Sequence, residues 1–472
     1  MSFFCTSHIV IIIITIVIRE PPSVTCCRQN IEMRQLDGKY ENQVVAVFGL
    51  GKTGLSTIQA FGQSNVSKTY AWDDNQQRVT NAKTICPPGT IFTPPQEWNW
   101  RELKTLILSP GVPFSYPKPH EVVQLAKKSN CEIKSDIDLF LEMKTDQQKV
   151  IAVTGTNGKS TTTSLIGHIL QLAGKKVSVG GNLGNPVLNL DNDSDIYVIE
   201  LSSFQIELMN EFDVDVGVLL NITPDHLDRH GNMENYVEIK KKLIDRSKVA
   251  VIGCDNRITA RIFDQFAGNK ISVLASTSPF SNSNINQGEA KINVISNAEN
   301  IAAACAVCEI LGIDGNVVVN GIKSFAGLKH RNEPLGRVSN VFFVNDSKAT
   351  NAESTQKAIS SYKRIHWIVG GRSKEGGIES LREYFSNIEK AYLIGESTEA
   401  FANTLNEGGV NYVKCGDLET AFRMAFEEAS KNSEEDQATV LLSPSCASYD
   451  QWRNFEERGE AFCRMFERLK SR

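Results

Sequence analysis

The sequence lacks a basic excess. Its 472 residues carry 50 Lys and Arg against 55 Asp and Glu, a formal net charge of -5. A general nucleic-acid binder carries a positive surplus, so no nucleic acid is expected as a partner; binding a nucleotide needs only local donors and cations. A bilayer-spanning run is also missing. Ile9 to Ile18 is apolar apart from Thr15, but even counted from Phe3 the stretch falls short of the ~20 residues a spanning helix needs. No basic segment precedes it and no A-x-A-like site follows, which excludes an ordinary secretory leader. Met33, a few residues before the first strand, is the expected natural start, and residues 1–32 are expected to be a non-native or disordered extension without stable membrane insertion. The 11 cysteines show no disulfide framework. The one C-x-x-C, Cys305 with Cys308, stands alone in an apolar helical run, whereas a zinc site wants four ligands. Two thiols on one buried helix face are expected, in a reducing, cytoplasmic setting. There is no internal repeat and no low-complexity tract.

What is present is ordinary globular material, 41% hydrophobic and 22% charged, arranged as strands alternating with helical patterns. At roughly 100–200 residues per domain the length predicts about three domains, and alternation predicts parallel sheets of α/β class. The first block (33–145) has strands at Val44–Phe48, near Trp72 and at Leu103–Leu108. The second (146–328) has strands at Val150–Val153, Lys176–Val179, Ile196–Ile199 and Val214–Leu220, and closes with a helix around Asn300–Leu311. Gly327-Leu328-Lys329 reads as a linker. The third (329–472) has strands at Val341–Val344, Ile365–Val369, Ala391–Ile394 and Thr439–Leu442, then a last helix from about Gln451.

Gly155-Thr156-Asn157-Gly158-Lys159-Ser160-Thr161 follows a strand and opens a helix, the context a phosphate loop requires. Its glycines let backbone N–H groups converge on phosphate, and the helix N-terminus adds positive potential. Lys159 can reach the β and γ phosphates, and the hydroxyl of Ser160 or Thr161 can hold Mg²⁺. The general pattern would place glycine where Val153 stands, so this is a shortened variant. Two further strands end in polar clusters. One ends at Glu200, suited to the nucleotide's Mg²⁺, followed by Ser202, Ser203 and Gln205. The other runs into Asn221-Ile222-Thr223-Pro224-Asp225-His226-Leu227-Asp228. Ligands bind at the carboxyl ends of strands in open α/β sheets, so Lys159, Glu200 and His226 are expected to converge, with His226 a candidate metal ligand and Asp225 and Asp228 orienting it. Lys240 falls in a helical Lys240-Lys241-Lys242 run, which by periodicity alone reads as a solvated basic face.

Gly49-Leu50-Gly51-Lys52-Thr53-Gly54 matches G-x-G-x-x-G after a strand, with Asp73 and Asp74 about 20 residues on, as in a dinucleotide fingerprint. Alone it proposes an NAD-dependent dehydrogenase; a non-catalytic nucleotide-binding regulator is a further alternative. A dehydrogenase has no need of the phosphate loop, Glu200 and His226 together, and a regulator would have lost those groups.

GTNGKST, ELSSFQIE and NITPDHLDRH, in this order and approximate spacing, resemble the Mur ligase family from about Val44 to the C-terminus. Asn345-Asp346-Ser347-Lys348-Ala349-Thr350-Asn351 and Ser443 to Trp452, followed by Asn454-Phe455-Glu456-Glu457-Arg458-Gly459, are similar to its D-glutamate-adding branch; a sister amide ligase adding another amino acid would differ there. The resemblance implies an N-terminal Rossmann-like UDP-binding domain, a central P-loop ATPase-like parallel-sheet domain and a C-terminal Rossmann-like domain. It implies ATP and two Mg²⁺ ions, with UDP-N-acetylmuramoyl-L-alanine and D-glutamate as substrates of a monomer. Lys240 takes the position of a carbamylated lysine that binds a second Mg²⁺ beside His226. Asn297 and Asn300 lie near adenine, and Arg331 and Asp346 reach the nucleotide from the third block. Lys348, Thr350, Lys374, Ser448 and Phe455 form the D-glutamate pocket. Asn182, with Ser202 and Gln205, meets the muramoyl-alanine, and Lys52, Thr53, Asp73 and Gly111 meet UDP. Tyr449 and Trp452 replace the family's usual Leu and Phe, and Ser296 stands where it often has His. Closure of the third block is expected to bring Arg331 into the site.

Overall fold

The computed structural model describes residues 36, 38–277, 294, 297–374, 376–431 and 437–471. The expected extension at 1–32, the Met33 start and the departure at Ser296 lie outside the described residues.

Three large sheets follow one another along the chain, and a two-stranded antiparallel ribbon pairs Arg372–Ser373 with Cys446–Ala447. The first orders its strands Thr90–Ile91, Lys68–Trp72, Val44–Phe48, Leu103–Leu108 and Glu132–Lys134, all parallel. The second runs Lys270–Val273, Ser247–Gly253, Val214–Leu219, Lys149–Thr154, Ile196–Glu200 and Val177–Gly181, again all parallel. The third runs Glu333–Val338, Val341–Asn345, Ala438–Leu442, Ile365–Gly370, Ile388–Ile394 and Tyr412–Gly416; its first strand is antiparallel to its neighbour and the others are parallel. The central strands are mostly apolar because helices cover both faces of a parallel sheet: Val44–Phe48, Ile196–Glu200, Ile365–Gly370 and Ala438–Leu442 are buried at every position.

Several elements differ from the sequence expectation. The helix after the phosphate loop begins at Lys159, earlier than the apolar pattern, because Gly158 adopts a left-handed φ of 86° and serves as its N-cap. The second block does not close at Leu311: a further helix, Gly315–Ser324, follows, capped by the Asp314 side chain on Asn316 N. The last helix begins at Phe455 rather than Gln451, since Asn454 caps it by accepting from Glu457 N. The strands Ser247–Gly253 and Lys270–Val273 extend the second sheet: the first carries a buried apolar run that the sequence expectation omits, and the second is a short, partly exposed edge strand.

Lys240 is the clearest correction. It is not on a solvated face: it is 1% exposed, on the stripe of helix Met233–Asp245 that also buries Tyr236, Leu243 and Ile244. Residues four apart share a helix face, so Lys240 is carried inward with Tyr236 and Ile244 while Lys241 pairs outward with Asp245.

Candidate active site

In all three sheets the strands used here end toward one cleft of about 1110 Å³. The residues given a binding or catalytic role from the sequence line it, except Gly155, which takes part through its carbonyl, and Asp228, expected to orient His226, which is exposed outside the cleft lining.

At the N-terminal end, the Gly49–Gly54 turn is held tight by contact. A Cβ on Gly54 would stand 1.9 Å from the Gly49 carbonyl oxygen, and the Ser109 hydroxyl donates to that same oxygen at 2.7 Å. Lys52 and Thr53 open the following helix at the cleft wall, and Gly111 faces them from the neighbouring loop. Asp73 lines the cleft, but its carboxylate is engaged: Oδ2 accepts from Leu50 N at 2.7 Å and from Arg78 at 3.3 Å, and Oδ1 accepts from Asn75 N at 2.8 Å. In a dinucleotide site that acid would be offered to a ribose hydroxyl; here it braces the glycine turn.

The phosphate loop is bracketed on both sides. Asn221 Oδ1 accepts from Asn157 N at 2.9 Å, and Asn221 Nδ2 donates to the Asn157 carbonyl and to Glu299. Gly158 has no room for a side chain, since a Cβ would lie 2.1 Å from Asn300 Oδ1. Asn300 in turn donates to Asn297 Oδ1 at 2.9 Å, so the two expected adenine-side residues form one unit against the loop. Lys159 folds back onto its own loop, donating to the Gly155 and Thr156 carbonyls at 2.9 and 2.8 Å. Burial pushes its pKa down, opposed by Glu200 and Asp225 and reinforced by Arg331 and Lys374.

Glu200 shows the feature most suited to a cation. Its Oε1 accepts from Asn182 Nδ2 at 2.7 Å, while Oε2 is buried without a hydrogen-bond partner. Leaving a buried acceptor unpaired costs about 1–3 kcal/mol, more for a charged one, and a divalent ion relieves it. With Thr161 and Ser160 lining the same space, the residues present fit Mg²⁺. His226 sits at a left-handed φ of 54° beside Asp225, with Nε2 3.5 Å from Asp225 Oδ2. Burial lowers its pKa and favours the neutral imidazole that binds metals. Lys240 Nζ lies behind the loop, 3.2 Å from Thr154 Oγ1 and 2.9 Å from the Gly155 carbonyl. Ser202 and Gln205 close on each other as a capping box for the helix Ser203–Leu208; both line the cleft with those side chains already paired.

The third sheet supplies the far wall and reaches across. Arg331 Nη2 donates to Ser160 Oγ at 2.7 Å, Lys374 Nζ lies 2.5 Å from Asp225 Oδ1, and Ser354 Oγ donates to Asn157 Oδ1 at 2.8 Å. Arg331 is thus in contact with the phosphate loop in this arrangement. Asp346 is buried, accepts from the Ser443 hydroxyl at 2.7 Å and Asn332 N at 2.9 Å, and burial pushes its pKa up to about 7. Lys348 Nζ stands 4.1 Å from the Phe455 ring centroid; burial pushes it down to about 8, with Arg331 and Lys159 adding to the effect. Thr350 and Ser448 line the same corner. Of the two departures, Tyr449 is 67% exposed at the cleft wall, whereas Trp452 packs into the core beneath the last helix.

Arg458 was not singled out as a site residue, yet it is 1% exposed and ties two cleft loops together. It donates to Ser347 Oγ, the Ser347 carbonyl and the Cys446 carbonyl at 3.0, 2.8 and 3.0 Å. The signal was available: Arg458, Phe462 and Phe466 recur every four residues, which puts a charge on an apolar stripe.

Comparison with known proteins agrees with this arrangement. Residues 153–305 match the Mur ligase middle domain and residues 330–446 the Mur ligase glutamate ligase domain. The chain is 57% identical to the UDP-N-acetylmuramoylalanine--D-glutamate ligase of Wolbachia sp. subsp. Brugia malayi, covering 92% of this chain and 97% of that one. It is 43% identical to the same-named protein of Rhizobium meliloti, covering 90% and 96%. Among solved structures, the UDP-N-acetylmuramate-alanine ligase of Thermotoga maritima shares the fold at a TM-score of 0.56 and 16% identity, over 90% of this chain and 99% of that one. This chain therefore belongs to the Mur ligase family, in the group whose members are named UDP-N-acetylmuramoylalanine--D-glutamate ligase.

Proposed function

We propose that the chain joins D-glutamate to UDP-N-acetylmuramoyl-L-alanine at the cost of ATP, giving ADP and phosphate, in peptidoglycan precursor synthesis. One observation carries this reading: Arg331, in the coil that leads into the third sheet, donates to Ser160 of the phosphate loop, so the nucleotide end and the Lys348 end of the cleft form one site. Segments 33–145, 146–328 and 329–472 are assigned to the UDP-substrate, ATP and amino acid respectively. No helix among the described residues is long and apolar enough to cross a membrane, and the reaction is assigned to the cytoplasm, where ATP is available. The chain is proposed to act as a monomer.

In the first step an oxygen of the L-alanyl carboxylate attacks the γ-phosphorus and the bond to ADP breaks. In the second, the D-glutamate nitrogen attacks the acyl carbon, the carbon–oxygen bond breaks, and phosphate leaves as the amine loses a proton. Both steps bring anions together, so positioning and charge neutralisation are the protein's main task. Lys159 faces the transferring phosphoryl group. Ser160, Thr161 and Glu200 would hold one Mg²⁺, and His226 with a carbamylated Lys240 a second. These ions neutralise phosphate oxygens when bound. Lys348 and Lys374, with Thr350, Ser448 and Phe455, receive the two D-glutamate carboxylates. Closure over them keeps water from the acyl phosphate.

Phosphate release by the purified chain, measured with each substrate omitted in turn, tests the reading. Release should need ATP, Mg²⁺, UDP-N-acetylmuramoyl-L-alanine and D-glutamate together, with a product heavier by one glutamate. Release with another amino acid in place of D-glutamate would move the chain to a sister activity.

Lys348 also gives a pH dependence. Its folded pKa is about 8, below the ordinary lysine value, so the ammonium is present at pH 7 and lost as pH rises through 8. A carboxylate bound by that ammonium is held less tightly as the charge goes. KM for D-glutamate should rise about tenfold between pH 7 and pH 9, and Lys348→Met should start high and show no such rise. A wild-type KM flat across that range removes Lys348 from the pocket.

A further inference from the structure

The polypeptide passes from the second sheet to the third through a coil after Phe325 that includes Gly327 at φ 78°. His330 follows, 4% exposed and itself left-handed at φ 63°. Four bonds fix it. Its N–H donates to Glu333 Oε2 at 2.8 Å, and its carbonyl accepts from Lys348 N at 2.9 Å. Its Nδ1 faces Asn345 Nδ2 at 2.9 Å, and Asn345 Oδ1 accepts from Ser347 N at 3.2 Å. The last helix leaves room for the ring: a Cβ on Gly459 would lie 2.3 Å from His330 Nδ1. Ligand atoms of His330, Glu333 and Cys463 lie within 4.8 Å of one another, a spacing open to a cation. The Asn345 amide nitrogen stands among them at 2.9, 3.4 and 3.2 Å, so the cluster works as a hydrogen-bond node.

The node has two outputs. On one side the next residue, Arg331, reaches Ser160 of the phosphate loop. On the other, the bonds to Lys348 N and, through Asn345, to Ser347 N set the backbone from which Lys348 projects. We propose that His330 is a positioning residue that couples the two ends of the cleft, so that a nucleoside triphosphate on the phosphate loop and an amino dicarboxylate at Lys348 each tighten the binding of the other. The coupling rests on the ligase reading above. A ligand that favours Arg331 on the loop favours the one arrangement in which the His330 ring is seated. The same arrangement orients Lys348, and two ligands favouring one arrangement strengthen each other reciprocally. Without the ring, each end keeps its own contacts and the two bind independently.

The test is calorimetric titration of the full chain with a non-hydrolysable ATP analogue and Mg²⁺, with and without saturating D-glutamate. In the wild type D-glutamate should tighten the analogue at least about fivefold. His330→Gly keeps the left-handed backbone at no steric cost and deletes only the ring; its ratio should fall to within about twofold of one. His330→Asn, which tolerates the same φ and offers Asn345 an acceptor, should recover most of the ratio. If His330→Gly does not fold, Glu333→Ala loosens the node from its partly exposed edge and carries the same expectation. A folded His330→Gly with the wild-type ratio overturns the coupling. So does a wild type that releases phosphate with all substrates yet shows no ratio. A wild type that releases none overturns the functional reading and this inference with it.

Discussion

Lys240→Met is expected to lower phosphate release about 10³-fold while leaving the fold intact. Lys240 Nζ is buried behind the phosphate loop, within 3.2 Å of Thr154 Oγ1 and 2.9 Å of the Gly155 carbonyl, with no carboxylate among its hydrogen-bond partners. Burial drives its pKa well below the ordinary lysine value and the neighbouring Lys159 pushes it further, with Asp225 and Glu200 opposing. Both effects favour the neutral amine over the ammonium. That is the form that attacks CO2: the nitrogen bonds to carbon, a proton leaves, and an ammonium site becomes a carbamate anion. On the proposed reading, such an anion would supply, with His226, the charge a second Mg²⁺ needs. Methionine keeps the chain length and apolar stem, so the ~2–5 kcal/mol cavity cost of an alanine is avoided, but it has no nitrogen to modify. Loss of one charge-stabilising group in a closed site costs roughly 10²–10³ in rate. Initial rates with matched thermal unfolding curves provide the measurement. With ¹³C-labelled bicarbonate, the wild type should show a carbamate carbon signal that Lys240→Met lacks. A Lys240→Met rate within tenfold of wild type would remove this lysine from the reaction.

Lys240 also shows what was legible in the chain and what was not. The run Lys240-Lys241-Lys242 looks like a solvated basic face when three successive lysines are taken together. Read as a helix, Lys240 lies four residues after Tyr236 and four before Ile244, on the stripe that packs inward. Arg458 repeats the pattern with Phe462 and Phe466. In both cases the informative sign is a charge where the period calls for an apolar residue, because a buried charge needs partners or neutralisation. The three sheets were readable because buried parallel strands are continuous apolar runs, as at Ile196–Glu200. The edge strand at Glu333–Val338 was not: it is partly exposed along its length and its residues are mixed, whereas Ser247–Gly253 carries a buried apolar run from Ala250 that the sequence expectation omits. The glycine turn at Gly49 was readable as a phosphate-binding shape. Only the structure shows that Asp73 already holds Leu50 N, which turns a dinucleotide fingerprint into a braced loop. Contacts between segments far apart in sequence, such as Ser354 with Asn157 and Lys374 with Asp225, leave no local signature.

Glu200→Gln should be as damaging as the loss of Lys240, and for a separable reason. The side chain has two distinct oxygens. Oε1 is taken by Asn182 Nδ2 at 2.7 Å, and Oε2 is buried with no partner. Glutamine is the same size and keeps a carbonyl oxygen for Asn182, which leaves its NH₂ where Oε2 stood. A site that offered a negative acceptor would then offer a positive-edged donor, and a divalent cation would meet repulsion in place of a ligand. The rate should fall about 10³-fold, and the Mg²⁺ concentration for half-maximal activity should rise at least about tenfold. Stability should move the other way. A buried, half-partnered carboxylate is a cost in the cation-free fold, so the variant should unfold at the same temperature as wild type or higher when Mg²⁺ is absent. Adding Mg²⁺ and ATP should stabilise the wild type and leave the variant nearly unmoved, because only a state that binds the ligand gains from it. Activity against Mg²⁺ concentration and thermal unfolding with and without Mg²⁺ and ATP separate the two readings. A variant that loses activity and stability in proportion would make Glu200 a structural residue. A variant that keeps its wild-type Mg²⁺ requirement would place the ion elsewhere in the cleft.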